Sequence, residues 1–146
     1  MLMARNFSVS ATAIPSMNVR EVGDVLGDLS KDASKADDLG DSIEEFFRKS
    51  FRKVSYDDAM YVVSKLGQDG ASKIHTLDNK FWVWETLEEA TRPQVDEMTE
   101  QELETVMSGF CLNTQGSEDL YNVFYTRIMA LGITSPFQSG VNPIHK

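Results

Sequence analysis

Cysteine occurs once in this chain of 146 residues, at Cys111. A single thiol excludes an intrachain disulfide framework and any zinc site made of cysteine pairs. Its surroundings, "SGFCL", are apolar, so it reads as a small buried residue rather than a reactive thiol. Histidine is nearly as scarce. His75 and His145 have no spacing to each other or to Cys111 that would make a metal site or a nucleophile with its base. A membrane-spanning helix needs about twenty largely apolar residues. None is present, because the longest uncharged run, Ile128 to Ile144, is broken by glycines and by Pro136 and Pro143. No alternating strand pattern with hairpin chemistry appears, and without a strand there is no phosphate-binding loop of the strand–glycine–helix kind.

Positive charge is also in short supply: 14 Lys and Arg stand against 23 Asp and Glu, a net charge of -9. Such a chain repels a phosphate backbone, so no direct nucleic-acid partner is expected. The one basic cluster, "FRKSFRK" at Phe47 to Lys53, interleaves phenylalanines at helical spacing and reads as a helix with a buried and a solvated face. The acid pairs Asp57-Asp58, Glu44-Glu45 and Glu88-Glu89 read as solvated helix surface. None is marked out as a catalytic pair. The expectation is a non-catalytic protein with no cofactor, no metal and no small-molecule substrate.

What is there is helix, announced by its starts. A small polar residue followed three places on by an acid is a capping box. It recurs at Asn18/Glu21, Ser42/Glu45, Ser55/Asp58 and Thr99/Glu102. Thr76 or Asp78 is placed to cap "NKFWVWETLEEA", which Pro93 closes. Ser117 is placed to cap "EDLYNVFYTRIMAL", which Gly132 closes. "SKDASKADDLGD" has little apolar surface and reads as a linker, and "GQDGAS" as a loop. The fold class expected is all-α, with five to six helices. An N-terminal arm over 1-17, a helical domain over 18-132 and an extended C-terminal tail over 133-146 make up the chain.

Two helical hairpins echo one another. Ser55, Asp58, Val62, Ser64 and Leu66 line up with Thr99, Glu102, Val106, Ser108 and Phe110, and Leu77, Asn79, Phe81 and Trp82 with Leu120, Asn122, Phe124 and Tyr125. Over Ser55 to Gly132 the pattern is similar to organellar helical-hairpin repeat proteins of the octotricopeptide and heptatricopeptide kind. The resemblance implies stacked αα-units. It also implies RNA binding, for which this chain lacks a basic inner helix.

The first twenty residues invert the character of the rest, with Arg5 and Arg20 and no acid. Met3, Phe7, Ala11 and Ile14 fall on one helical face, and Arg5, Ser8 and Thr12 on another. An acid-poor amphipathic start is what mitochondrial import machinery recognises. Arg5-Asn6-Phe7-Ser8-Val9-Ser10 resembles the Arg-x-Phe-x-x-Ser pattern of mitochondrial presequences. The expected location is therefore mitochondrial, in the matrix or associated with the inner membrane.

Aromatics supply the candidate contacts. In "KFWVWETL", Phe81, Trp84 and Leu87 are expected to face the core, which turns Trp82 the other way. In the last helix Leu120, Phe124 and Ile128 make the buried stripe, with Tyr121 and Tyr125 beside it. Phe7, Trp82, Tyr121, Tyr125 and Phe137 are the partner-interface candidates. The reading is an accessory subunit of a mitochondrial assembly, of the respiratory-chain or ATP synthase kind, held among other protein subunits. Two alternatives stand beside it: a mitoribosomal or helical-repeat RNA-binding protein, and a degenerate EF-hand-like adaptor. For the latter, "NTQGSEDLYNVF" offers Asn113 and Gln115 but ends in Phe124, where a calcium loop needs its bidentate acid.

Overall fold

The computed structural model describes residues 11–32 and 36–133. Among these residues the protein is all-α, with six α-helices: α1 (Val19–Lys31), α2 (Ala36–Ser50), α3 (Tyr56–Gly67), α4 (Phe81–Thr91), α5 (Glu100–Leu112) and α6 (Glu118–Leu131). Short 3-10 segments at Ala11–Ser16, His75–Leu77 and Arg92–Glu97 join or precede them. The interface candidates Phe7 and Phe137, the amphipathic face through Met3 and the tail beyond Ile133 lie outside the described residues.

The starts of the odd helices follow the sequence closely. Asn18 and Glu21 bond reciprocally, side chain to backbone, at 2.8 and 2.9 Å, and Thr99 and Glu102 do the same at 3.1 and 2.9 Å. Ser55 accepts the Asp58 amide at 3.1 Å, but the Asp58 carboxylate turns to Arg20 of α1 at 2.7 Å instead of returning to its cap. From each cap, the residues four, seven, eight and eleven places on are buried. They are Val22, Val25, Leu26 and Leu29 in α1; Ala59, Val62, Val63 and Leu66 in α3; and Leu103, Val106, Met107 and Phe110 in α5. One register thus repeats three times, and α1, α3 and α5 pack side by side in a layer.

That layer is tight because glycine stands at the crossings. A Cβ on Gly109 would lie 2.5 Å from Val63 Cγ1 and 2.8 Å from the Val63 carbonyl oxygen, so α5 meets α3 at the backbone. Gly23 of α1 lies less closely against Val62, where an added Cβ would stand 3.1 Å from Cγ2.

The even helices lie across the core from them. α2 packs on α4, and α6 packs on the Arg92–Glu97 segment and on α5. Each even helix carries a buried stripe at four-residue spacing: Leu39, Ile43 and Phe47 in α2; Val83, Leu87 and Thr91 in α4; Leu120, Phe124 and Ile128 in α6. Ile14, in the 3-10 turn ahead of α1, is fully buried in the same core and its segment packs on α2. Gly132, at φ 73°, ends α6 in the left-handed conformation, as its composition predicts.

Three expectations are corrected. The start at Ser42 is wrong: α2 begins at Ala36, inside the segment read as a linker, because Leu39 extends the buried stripe back by a turn. Glu45, expected to cap α2, pairs with Arg48 on its own helix, which holds its carboxyl below the usual range. α4 begins at Phe81 with no cap from Thr76 or Asp78. Phe81 itself is 59% exposed, not in the core, and Val83 takes the inward place. Phe81, at the first position of α4, meets the edge of the Trp82 ring at 4.9 Å, while Trp84 and Leu87 are buried as expected.

Asn113 locks the odd layer to the loop before α4. Its side-chain oxygen accepts the Ile74 amide at 3.1 Å, and its side-chain nitrogen donates to the Gly109 carbonyl at 2.9 Å. The residue proposed as the first ligand of a calcium-like loop is thus spent on backbone groups. All buried side-chain nitrogens and oxygens among the described residues have a hydrogen-bond partner.

Candidate interaction surface

Each even helix presents a side toward the next one, and in two of three cases that side ends in a carboxylate. Glu44 of α2 follows the buried Ile43 and reaches the bare start of α4. Its carboxylate accepts the Trp82 amide at 3.0 and 3.2 Å and the Val83 amide at 3.2 Å. An α-helix begins with free amides and a partial positive charge, so a carboxylate there satisfies both. Glu88 of α4 follows the buried Leu87 in the same way. It accepts the Ser117 amide at 3.1 Å and the Ser117 hydroxyl, at the cap of α6. Arg92 neutralises it at 2.6 Å, and the Glu88 side chain is only 6% exposed.

On α6 the residue following the buried Phe124 is Tyr125, and four places on, where Glu44 and Glu88 are followed by Arg48 and Arg92, α6 has Met129. No helix among the described residues covers them: Tyr125 is 49% and Met129 64% exposed. Asn122, Thr126 and Ala130 around them are exposed and uncharged. The only base on α6, Arg127, turns inward and donates to the Met98 carbonyl at 3.0 and 2.9 Å. Glu118 and Asp119, exposed in the first turn, are the acids of this helix.

The other sequence-derived candidates are placed differently. Trp82 is half-buried on the α2 side of α4, its ring edge-on to Phe51 at 5.2 Å and to Phe81 at 4.9 Å. Its opposite orientation from Trp84 is met within the chain, since α4 is flanked by α2 on that side. Tyr121 is half-buried in the α5–α6 turn, where its hydroxyl donates to the Gln115 carbonyl at 2.6 Å. Burial pushes its phenol far above the ordinary range. Cys111 lies against it, half-buried, and burial raises the thiol although Tyr121 bonds to it. Tyr125 alone among the described candidates stands free of such internal roles.

Sequence reasoning missed Glu44, Glu88 and Met129. The signal was present: "IEEFFR" from Ile43 and "LEEATR" from Leu87 match at four of six positions in kind, a repeat spanning α2 and α4. The earlier pairing of Phe81 with Phe124 fails, for one is exposed and the other fully buried.

The outward side of the odd layer is polar and mostly acidic. Arg20 and Lys65 are its central bases. Arg20 is held by Asp58 and lies over the Tyr61 ring at 4.8 Å, and Lys65 is 3.8 Å from Asp24. No group of three or more His, Cys, Asp or Glu side chains among the described residues is arranged to hold a metal ion. No helix among them is long and apolar enough to cross a membrane. No family model, no curated protein and no solved structure matches the chain.

Proposed function

We propose that this protein is a non-catalytic accessory subunit of a mitochondrial multiprotein complex, its helical stack serving to hold other subunits in place. The carrying observation is the outward face of α6. In a chain of net charge -9, Tyr125 and Met129 stand exposed on α6, whose residues from Leu120 to Thr126 carry no charge. Exposed aromatic and methionine side chains together favour protein contacts, because they offer large apolar area and cost little to desolvate. The acidic outer side of the odd layer supports a protein partner over RNA, for its central arginine and lysine are already engaged by aspartates. The same charge argues for a respiratory-chain or ATP synthase assembly over the mitoribosome. The acid-free start with Arg5, Phe7 and Ser10 supports the mitochondrial location.

Two measurements test the reading. Residues 1–20 fused to a fluorescent reporter are expected to direct it to mitochondria, and a cytosolic reporter removes the location. The tagged chain, released from gently solubilised organelles, is expected to sediment with a particle many times its own 16.4 kDa. Sedimentation as a free chain removes the subunit role.

A further inference from the structure

The repeated carboxylate on the even helices shows how this stack is extended, and where the device changes. Glu44 receives the start of α4 and Glu88 receives the start of α6, each from the position directly after a buried residue of its stripe. Tyr125 holds that position on α6, and Met129 the one held elsewhere by arginine. A next hairpin of the same kind, docking its free amides on a carboxylate, finds none there. By helical spacing Glu118, Asn122, Tyr125 and Met129 share one side, so this side is acidic at its N-terminal end and apolar toward its C-terminal end.

Terminal units of helical stacks ordinarily present polar outer sides, because no neighbour covers them. α6, the last unit among the described residues, presents tyrosine and methionine. We infer that the Glu118–Met129 side of α6 docks an amphipathic helix of another protein, one whose apolar stripe is flanked by lysine or arginine. The apolar part follows from Tyr125 and Met129, which lie six or more residues along the helix from the acids and need a partner without charge at that level. The basic flank follows from Glu118 and Asp119 at the N-terminal end of the same helix and from the -9 of the whole chain, against which an acidic helix is repelled. The same charge disfavours a second copy, since two such faces would bring like acids together. This assignment rests on the subunit reading above and adds to it the surface and the chemistry of the partner.

The test uses the full chain and two synthetic helical peptides that share one leucine stripe, flanked by lysines in one and by glutamates in the other. The lysine peptide is expected to bind the wild-type chain, and Y125S/M129S to weaken it at least tenfold while leaving the melting temperature unchanged. E118Q/D119N is expected to lower the salt dependence of binding. Equal binding to wild type and Y125S/M129S, preference for the glutamate peptide, or a sedimentation mass of two copies overturns the assignment. In organelles, Y125S/M129S is expected to leave the particle that holds the wild type. If Y125S/M129S stays in it with the wild type, this surface is wrong and the subunit reading stands; if the wild type is itself free, both fall.

Discussion

A Cβ placed on Gly67 would stand 2.7 Å from the amide nitrogen of Gly109, so α3 and α5 touch backbone to backbone near the C-terminal end of α3. Two rigid helices cannot give way there as a flexible side chain could. Gly109→Ala is therefore expected to destabilise the fold by about 1–3 kcal/mol, overpacking outweighing the better helix propensity of alanine. Gly27→Ala, on the neighbouring crossing, is expected to do the opposite. Its Cβ would meet only Lys65 side-chain carbons, at 3.4 Å and beyond, and the propensity gain is up to about 1 kcal/mol. Denaturant midpoints of the two variants decide this; equal signs would show that the layer is looser than described.

Asn113 is the second sensitive point. Asn113→Ala leaves the Ile74 amide without its partner in a buried place, and the expected loss is about 1–3 kcal/mol. Asn113→Asp keeps the acceptor but brings a charge against the Gly109 carbonyl, so its folded carboxyl pKa is raised. A raised folded value favours the protonated form. Asn113→Asp is thus expected to lose stability at neutral pH and to regain part of it toward pH 4. Urea titrations at pH 7 and pH 5 give the comparison.

Glu88 ties α4 to the cap of α6. Glu88→Ala removes the acceptor of the Ser117 amide and hydroxyl and leaves Arg92 unpaired, an expected cost of about 1–3 kcal/mol. Glu88→Gln keeps an acceptor oxygen and is expected to cost less. Amide exchange at Ser117 and Leu120 should quicken in both, and unchanged exchange there would show that the contact carries no weight.

The pair Cys111 and Tyr121 predicts an alkaline limb. Burial raises both groups above their ordinary values of 9.0 and 10.0. Folding therefore favours their neutral forms. That contribution is whole below the unfolded values and is lost as pH rises through the folded ones. The melting temperature is expected to fall above about pH 9–10, and Tyr121→Phe to flatten the fall. Iodoacetamide at pH 8 is expected to alkylate Cys111 more slowly than a free cysteine.

The sequence alone determined the helical class, the capped starts at Asn18, Ser55, Thr99 and Ser117, and the buried stripe of α6. Each depends on groups within a few residues of one another: a side-chain oxygen near free amides, or apolar positions at the helical period. Its expectation of Tyr125 as a surface aromatic also came from local spacing. Tertiary structure decided the rest. α4 lacks a local cap because Glu44, distant in the chain, supplies one; α2 starts early because Leu39 finds the core; Trp82 turns from Trp84 because α2 lies on its other side. Period and propensity describe one helix at a time, whereas the closeness of Gly67 to Gly109 and the side of α6 that no described helix covers exist only once neighbouring helices are in place.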